Sequence, residues 1–316
     1  MLNNFVYSLN ATLPVFAVMV LGWILKRVGF LTDGFTRVAD KLVFKVALPC
    51  MLFLEIARMD PSQLLDGRFV AYGAAVTLAS ILGIWLLARL LMKDKTQVGA
   101  FVQGAYRSSA AILGAALITN VYGSSGYAPL MILASVPLYN VFAVLVLVLE
   151  AGGDGRMDGK RLKSAALNVC KNPIILGILA GMPFALLGLE LPPILTKGVS
   201  MLGNLSTPLA LLAIGATFVW GDALKKAGPT VAATLIKLVL LPMIFLPLAV
   251  RLGFRNEQLM AILIMLGSPS TPSGYIMAKQ MGNDAVLANG IVVLTTLLAA
   301  VTITGWIFLL RTLGLL

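Results

Sequence analysis

The chain contains no histidine and only two cysteines. Lacking histidine, it has neither the usual proton shuttle nor the commonest metal ligand. Cys50 lies in an apolar stretch and Cys170 in a basic loop, so neither a disulfide framework nor a metal cluster is expected. Charge is also scarce. Only 12% of the residues are Asp, Glu, Lys or Arg, about half of what a soluble domain needs to coat its surface. No polar stretch is long enough for a second folded unit. The phosphate-binding pattern GxxxxGK[ST] does not occur, which argues against direct use of ATP. No clustered carboxylates or nucleophile–base set is present, so an intramembrane enzyme is disfavoured and no cofactor or metal is expected. A channel would need a ring of charge or a filter repeat, and neither is found.

Apolar residues dominate instead. They make up 59% of the chain, with a mean hydropathy of +0.95. The pattern predicts an all-α polytopic membrane protein with lipid as its solvent. Ten stretches are long enough to span: Phe5–Leu25, Ala39–Ala57, Phe69–Leu91, Val98–Tyr122, Tyr127–Leu149, Pro173–Leu189, Thr196–Trp220, Pro229–Leu252, Gln258–Met281 and Ala285–Leu310. They are called spans one to ten. The net charge of +11 comes from basic residues in short loops, so it reflects topology rather than nucleic-acid binding. Fifteen basic residues, including Lys26, Arg27, Lys93, Lys95 and Arg161, fall on one side, and six, including Arg58, Arg68 and Arg255, on the other. The first side is expected to face the cytoplasm of a bacterial inner membrane, with both termini outside. The N-terminus reads as the first span rather than a removed signal.

The polar segment 151–171 reads as a cytoplasmic linker between two five-span halves, residues 1–150 and 172–316. Pro49 and Pro208 place a kink in the second span of each half, and the fourth span of each is interrupted by small polar residues. Halves of five spans insert in opposite orientations, so inverted repeats are expected, a transporter device.

The sharpest local feature is Gly267-Ser268-Pro269-Ser270-Thr271-Pro272-Ser273-Gly274-Tyr275 in span nine. Two prolines there remove two backbone donors and clash with the preceding turn, which predicts two half-helices with Thr271 and Pro272 starting the second. In span four, Arg107 is expected about 15 Å deep, at 1.5 Å per residue. It must face the bundle, either capping broken-helix carbonyls or attracting an anion. Ser108, Ser109, Ala110, Ala111 and Gly114 allow close approach of another backbone. If spans four and nine break and cross, their half-helix N-termini suit a carboxylate, with hydroxyls of Ser108, Ser109, Ser270, Thr271 and Ser273 as further donors. Tyr139 and Asn140 lie mid-span after Pro137, where a buried amide needs partners. Lys45, Lys237 and Lys279 are expected to snorkel to the cytoplasmic surface. Glu55 is expected near the outer end of span two, paired with Arg58 or meeting water. No buried carboxylate is expected near the crossing, which favours an anion over a cation site. A cation-coupled symporter or antiporter of similar architecture is the nearest rival reading.

Leu48-Pro49-Cys50-Met51-Leu52-Phe53, Arg107-Ser108-Ser109 with Leu113-Gly114, Pro137-Leu138-Tyr139-Asn140-Val141-Phe142, Lys171-Asn172-Pro173, Pro208-Leu209-Ala210-Leu211 and the run in span nine occur in order along nearly the whole chain. In these motifs the chain resembles the auxin efflux carrier family, which includes plant auxin carriers and bacterial permeases for malonate and other carboxylates. The resemblance implies crossing broken helices in spans four and nine. It also implies a scaffold of spans one, two, six and seven, a moving domain formed by the rest, elevator-type transport and often a homodimer. By motif match, Ser108, Ser109, Tyr139, Asn140 and the Ser268–Tyr275 run would line the site. No proline lies between Lys95 and Tyr127, unlike in the plant carriers, so the break in span four is expected to be the milder one.

Overall fold

The computed structural model describes residues 2–58, 66–109, 118, 127–151, 167 and 169–316, residues 2–12 by backbone alone. The regular elements among the described residues are all helices, with no strand among them. Span one is α1 (Leu2–Arg27). Span two is α2 (Asp33–Leu42), a π-helical turn (Val43–Ala47) and α3 (Leu48–Ala57). Span three is α4 (Gly67–Leu91), and span four begins with α5 (Val98–Tyr106). The rest of span four, including Ala110, Ala111 and the predicted crossing residue Gly114, lies outside the described residues, as does most of the expected linker. Span five is α6 (Ala128–Glu150), and span six α7 (Pro173–Leu187). Span seven is α8 (Pro193–Gly203) and α9 (Ser206–Thr217), followed by the short α10 (Trp220–Lys225). Span eight is α11 (Ala227–Leu235), a second π-helical turn (Ile236–Leu240) and α12 (Leu241–Arg251). Span nine is α13 (Asn256–Gly267) and α14 (Pro272–Gln280), and span ten α15 (Ala285–Thr312).

Six of these units are long and apolar enough to cross a membrane: Gly67–Leu91, Ala128–Glu150, Pro193–Thr217, Ala227–Arg251, Asn256–Gln280 and Ala285–Thr312. Four helix starts are set by side chains that satisfy orphan amides. Thr32 accepts from Phe35 N, Asp66 from Phe69 N, Asn172 from Ile174 N and Asp284 from Leu287 N. Gly188 closes α7 in the left-handed conformation.

The expected kinks take the form of irregular turns. Pro49 follows the first π turn, where Leu48 N reaches back to Val43 O, five residues away, so the missing proline donor leaves no gap. Pro208 lies just past the bend at Asn204 and Leu205 that divides span seven.

Span nine is the core of the molecule. Its most apolar window is 94% buried, against 33% for α4. Two helix pairs cross at backbone distance. A Cβ at Gly177 of α7 would stand 2.6 Å from Pro49 O of α3, and one at Gly215 of α9 would overlap Met19 O of α1. Glycine is required at both places because no side chain fits between the backbones. Gly215→Ala is therefore expected to destabilise the protein by about 1–3 kcal/mol, read as a lower Tm in detergent. An unchanged Tm would mean the two helices can separate freely.

Candidate functional site

The break in span nine has the expected form. Helix α13 ends at Gly267, residues 268–271 are extended, and α14 restarts with Pro272 as its first residue. Thr271 holds the cap position, but its hydroxyl accepts from Ser273 Oγ (3.0 Å), and Gly274 N bonds to Thr271 O (2.9 Å). Gly274 lies in the first turn of α14, where a Cβ would meet Gln103 of α5.

The break in span four forms without proline. Helix α5 ends at Tyr106, and Arg107 is extended at φ −67°, ψ 135°. What ends the helix is tertiary contact. Ser109 N donates to Pro269 O (2.9 Å), and the Ser108 hydroxyl bonds to the Ser268 hydroxyl and to Ile264 O (3.3 Å). The two interrupted segments thus satisfy each other's polar groups, as backbone at membrane depth requires.

The released carbonyls at the ends of α5 and α13 converge on one side chain. Lys237, in the second π turn, donates Nζ to Leu266 O (2.7 Å), Tyr106 O (3.1 Å) and Met265 O (3.5 Å). It is fully buried, so the expectation that it snorkels to the surface is wrong. Its ammonium sits where two helices present their negative dipole ends, which offsets part of the cost of burying it. Tyr139 Oη adds a bond to Met265 O (3.1 Å). The signal in the sequence was a lone lysine in the middle of an apolar span, five residues before a proline.

On the other side of the break lies a cavity of about 60 Å³. Of the expected site residues, Arg107, Ser108, Ser109, Tyr139, Asn140, Thr271 and Ser273 line it, together with Pro272. Arg107 is 4% exposed. Its Nη2 donates to Asn140 Oδ1 (2.6 Å) and Ser273 Oγ (3.1 Å), and Nη1 to Met277 Sδ (3.3 Å). Its Nε has no partner, and no carboxylate among the described residues lies within ion-pair distance. Asn140 is held by a bond from Nδ2 to Val136 O (2.9 Å).

Three expected residues do not line the cavity. Ser268 is buried in the contact between the breaks. Ser270 is buried beside α15, its amide donating to Thr295 Oγ1 (3.1 Å). Tyr275 points to a second polar cluster, where its hydroxyl meets Thr217 Oγ1 (2.9 Å) and Lys279 Nζ (2.9 Å). Lys279 is partly exposed. It pairs with the buried Asp40 at 2.5 Å. Lys45 is exposed. Glu55 also departs from expectation. It lines the Arg107 cavity, while Arg58 bonds to Ser200 Oγ (3.3 Å) instead. A carboxylate does therefore stand near the crossing.

Residues 7–307 match the family model described as "Membrane transport protein". The chain belongs to this family, the auxin efflux carrier family. Three relatives of nearly equal length are named as transporters. The chain is 23% identical over 310 residues to "Uncharacterized transporter YfdV" of Escherichia coli K12, covering 96% of this chain and 98% of that one. It is 23% identical over 305 residues to a Rhizobium meliloti protein named "Putative malonate transporter", covering 95% and 94%. An "Uncharacterized transporter" of Methanothermobacter thermautotrophicus is 25% identical over 305 residues, covering 96% and 98%. The protein is a membrane-embedded transporter.

Lys237→Met keeps the bulk of the side chain and removes the ammonium. It is expected to lower stability by about 3 kcal/mol, because three carbonyls lose a charged donor, and to lower Tm and transport together. Full transport at an unchanged Tm would show that the carbonyls find other donors.

Proposed function

We propose that this protein is a secondary transporter for a small organic carboxylate, bound at the crossing of spans four and nine. The observation that carries the reading is the buried Arg107, whose Nε is unpaired and whose side chain lines a small cavity together with the Ser109, Thr271 and Ser273 hydroxyls and the Asn140 amide. A cation kept in that state at membrane depth calls for an anion. Its planar donors suit a carboxylate. The start of α14 also turns the positive end of its dipole toward the link. The name of the Rhizobium relative agrees with this substrate class.

The architecture that goes with this function has ten spans in two inverted halves, residues 1–150 and 172–316, joined by a cytoplasmic linker at 151–171. Both termini lie outside a bacterial inner membrane. The two glycine crossings support the inverted repeat. One joins spans one and seven and the other spans two and six, which an exchange of halves would interchange. Transport is by elevator-type alternating access. Spans one, two, six and seven are the scaffold, against which the remainder slides. Asp40–Lys279 and Thr217–Tyr275 join the two parts, so these contacts must break in each cycle.

Uptake of labelled malonate, malate, lactate and indole acetate into proteoliposomes, with and without pH, Na⁺ and voltage gradients, tests the proposal. At least one carboxylate is expected to move. Arg107→Ala is expected to lower the rate at least about tenfold while the protein remains folded, because removing one partner of a buried charged hydrogen bond costs a few kcal/mol. Unchanged transport in that variant would remove Arg107 from the site.

A further inference from the structure

Glu55 has no part in the function proposed above, yet its carboxylate lines the same small cavity as Arg107. No hydrogen bond or ion pair joins it to any described residue, and its nearest basic neighbour in sequence, Arg58, is engaged with Ser200. Arg107, just past the end of α5, and Tyr139 of α6 line the same cavity. Helix α7, packed on α3, has no charged residue. The cavity therefore presents two unlike ends. One is the Arg107 guanidinium with the hydroxyls of Ser109 and Thr271, a donor set. The other is a carboxylate with unused acceptor oxygens.

We propose that Glu55 determines which acids the site accepts, favouring one that offers a single carboxylate to Arg107 and a hydrogen-bond donor, such as a hydroxyl, to Glu55. In so small a cavity the second carboxylate of a full dianion falls within a few ångströms of Glu55. Like charges that close, at reduced dielectric, repel strongly. An acid without the donor leaves the Glu55 oxygens desolvated and unpaired, a loss that polar sites use to reject close analogues.

The inference rests on the carboxylate-transport reading, and one competition experiment separates the two. Purified full-length protein in proteoliposomes is assayed for uptake of labelled lactate at pH 8, with unlabelled glycolate, propionate and malonate as competitors. Wild type is expected to favour glycolate over both propionate and malonate by about tenfold, the discrimination that about 1.4 kcal/mol gives. Glu55→Gln is expected to raise the relative affinity for malonate about tenfold, since the amide is neutral and can donate. Glu55→Asp keeps the charge and is expected to retain the wild-type order.

A malonate-to-glycolate ratio that Glu55→Gln leaves within about twofold overturns the assignment, while transport itself stands. So does a wild type that prefers malonate to glycolate, a result that needs no variant to fold. Failure of every acid to move or compete, in a protein with a normal melting transition, overturns the carboxylate reading instead.

Discussion

Breaking a helix inside a membrane releases carbonyls and amides that have no water to bond, and every polar feature at the centre of this protein answers that constraint. Two helices, α5 and α13, end within the bundle, and the ammonium of Lys237 takes carbonyls from both. The next residues pair across the gap, with Ser109 N on Pro269 O. With these partners in place the interruption is a stable element, and the faces of the two links turned away from Lys237 are free to line a cavity.

The junction of the two breaks therefore holds two buried basic side chains with different surroundings. Lys237 is surrounded by carbonyl oxygens, so its donors are used and it has no reason to attract a solute. Arg107 leans on an amide oxygen, a hydroxyl and a sulfur, all neutral, and leaves Nε unused. Its hydrogen bonds go only to neutral groups, and the Glu55 carboxylate across the same cavity makes no ion pair with it. That difference assigns the first residue to scaffolding of the break and the second to the solute. A second polar cluster, Asp40 with Lys279 and Tyr275 with Thr217, lies away from the cavity. Its members come from α2 and α9 on one side and α14 on the other.

The break in span nine was readable because it is made by local chemistry: two prolines flanked by glycines cannot continue a helix whatever surrounds them. The break in span four was only half readable. Its residues are good enough helix formers, and the absence of proline pointed to a mild interruption. Yet Arg107 is fully extended, because bonds from span nine outweigh the one or two helical bonds given up. Of the residues expected to line one site, Arg107, Ser108, Ser109, Tyr139, Asn140, Thr271 and Ser273 share the cavity, whereas Ser268, Ser270 and Tyr275 turn elsewhere, since which face of a short half-helix turns inward depends on its neighbours. Lysine position alone misled at Lys237. A long side chain reaches water or a carbonyl with equal ease, and the sequence does not say which is nearer.

Composition and order along the chain determined by themselves that this is a helical membrane protein with an interrupted central span, because scarce charge and long apolar runs leave lipid as the only solvent and proline breaks helices locally. Tertiary structure alone decided the partners of the charges: Lys237 on two helix ends, Lys279 on Asp40, and Glu55 facing the Arg107 cavity. Those pairings join residues far apart in the chain. The energy of a buried charge depends on the few ångströms around it, which only packing supplies.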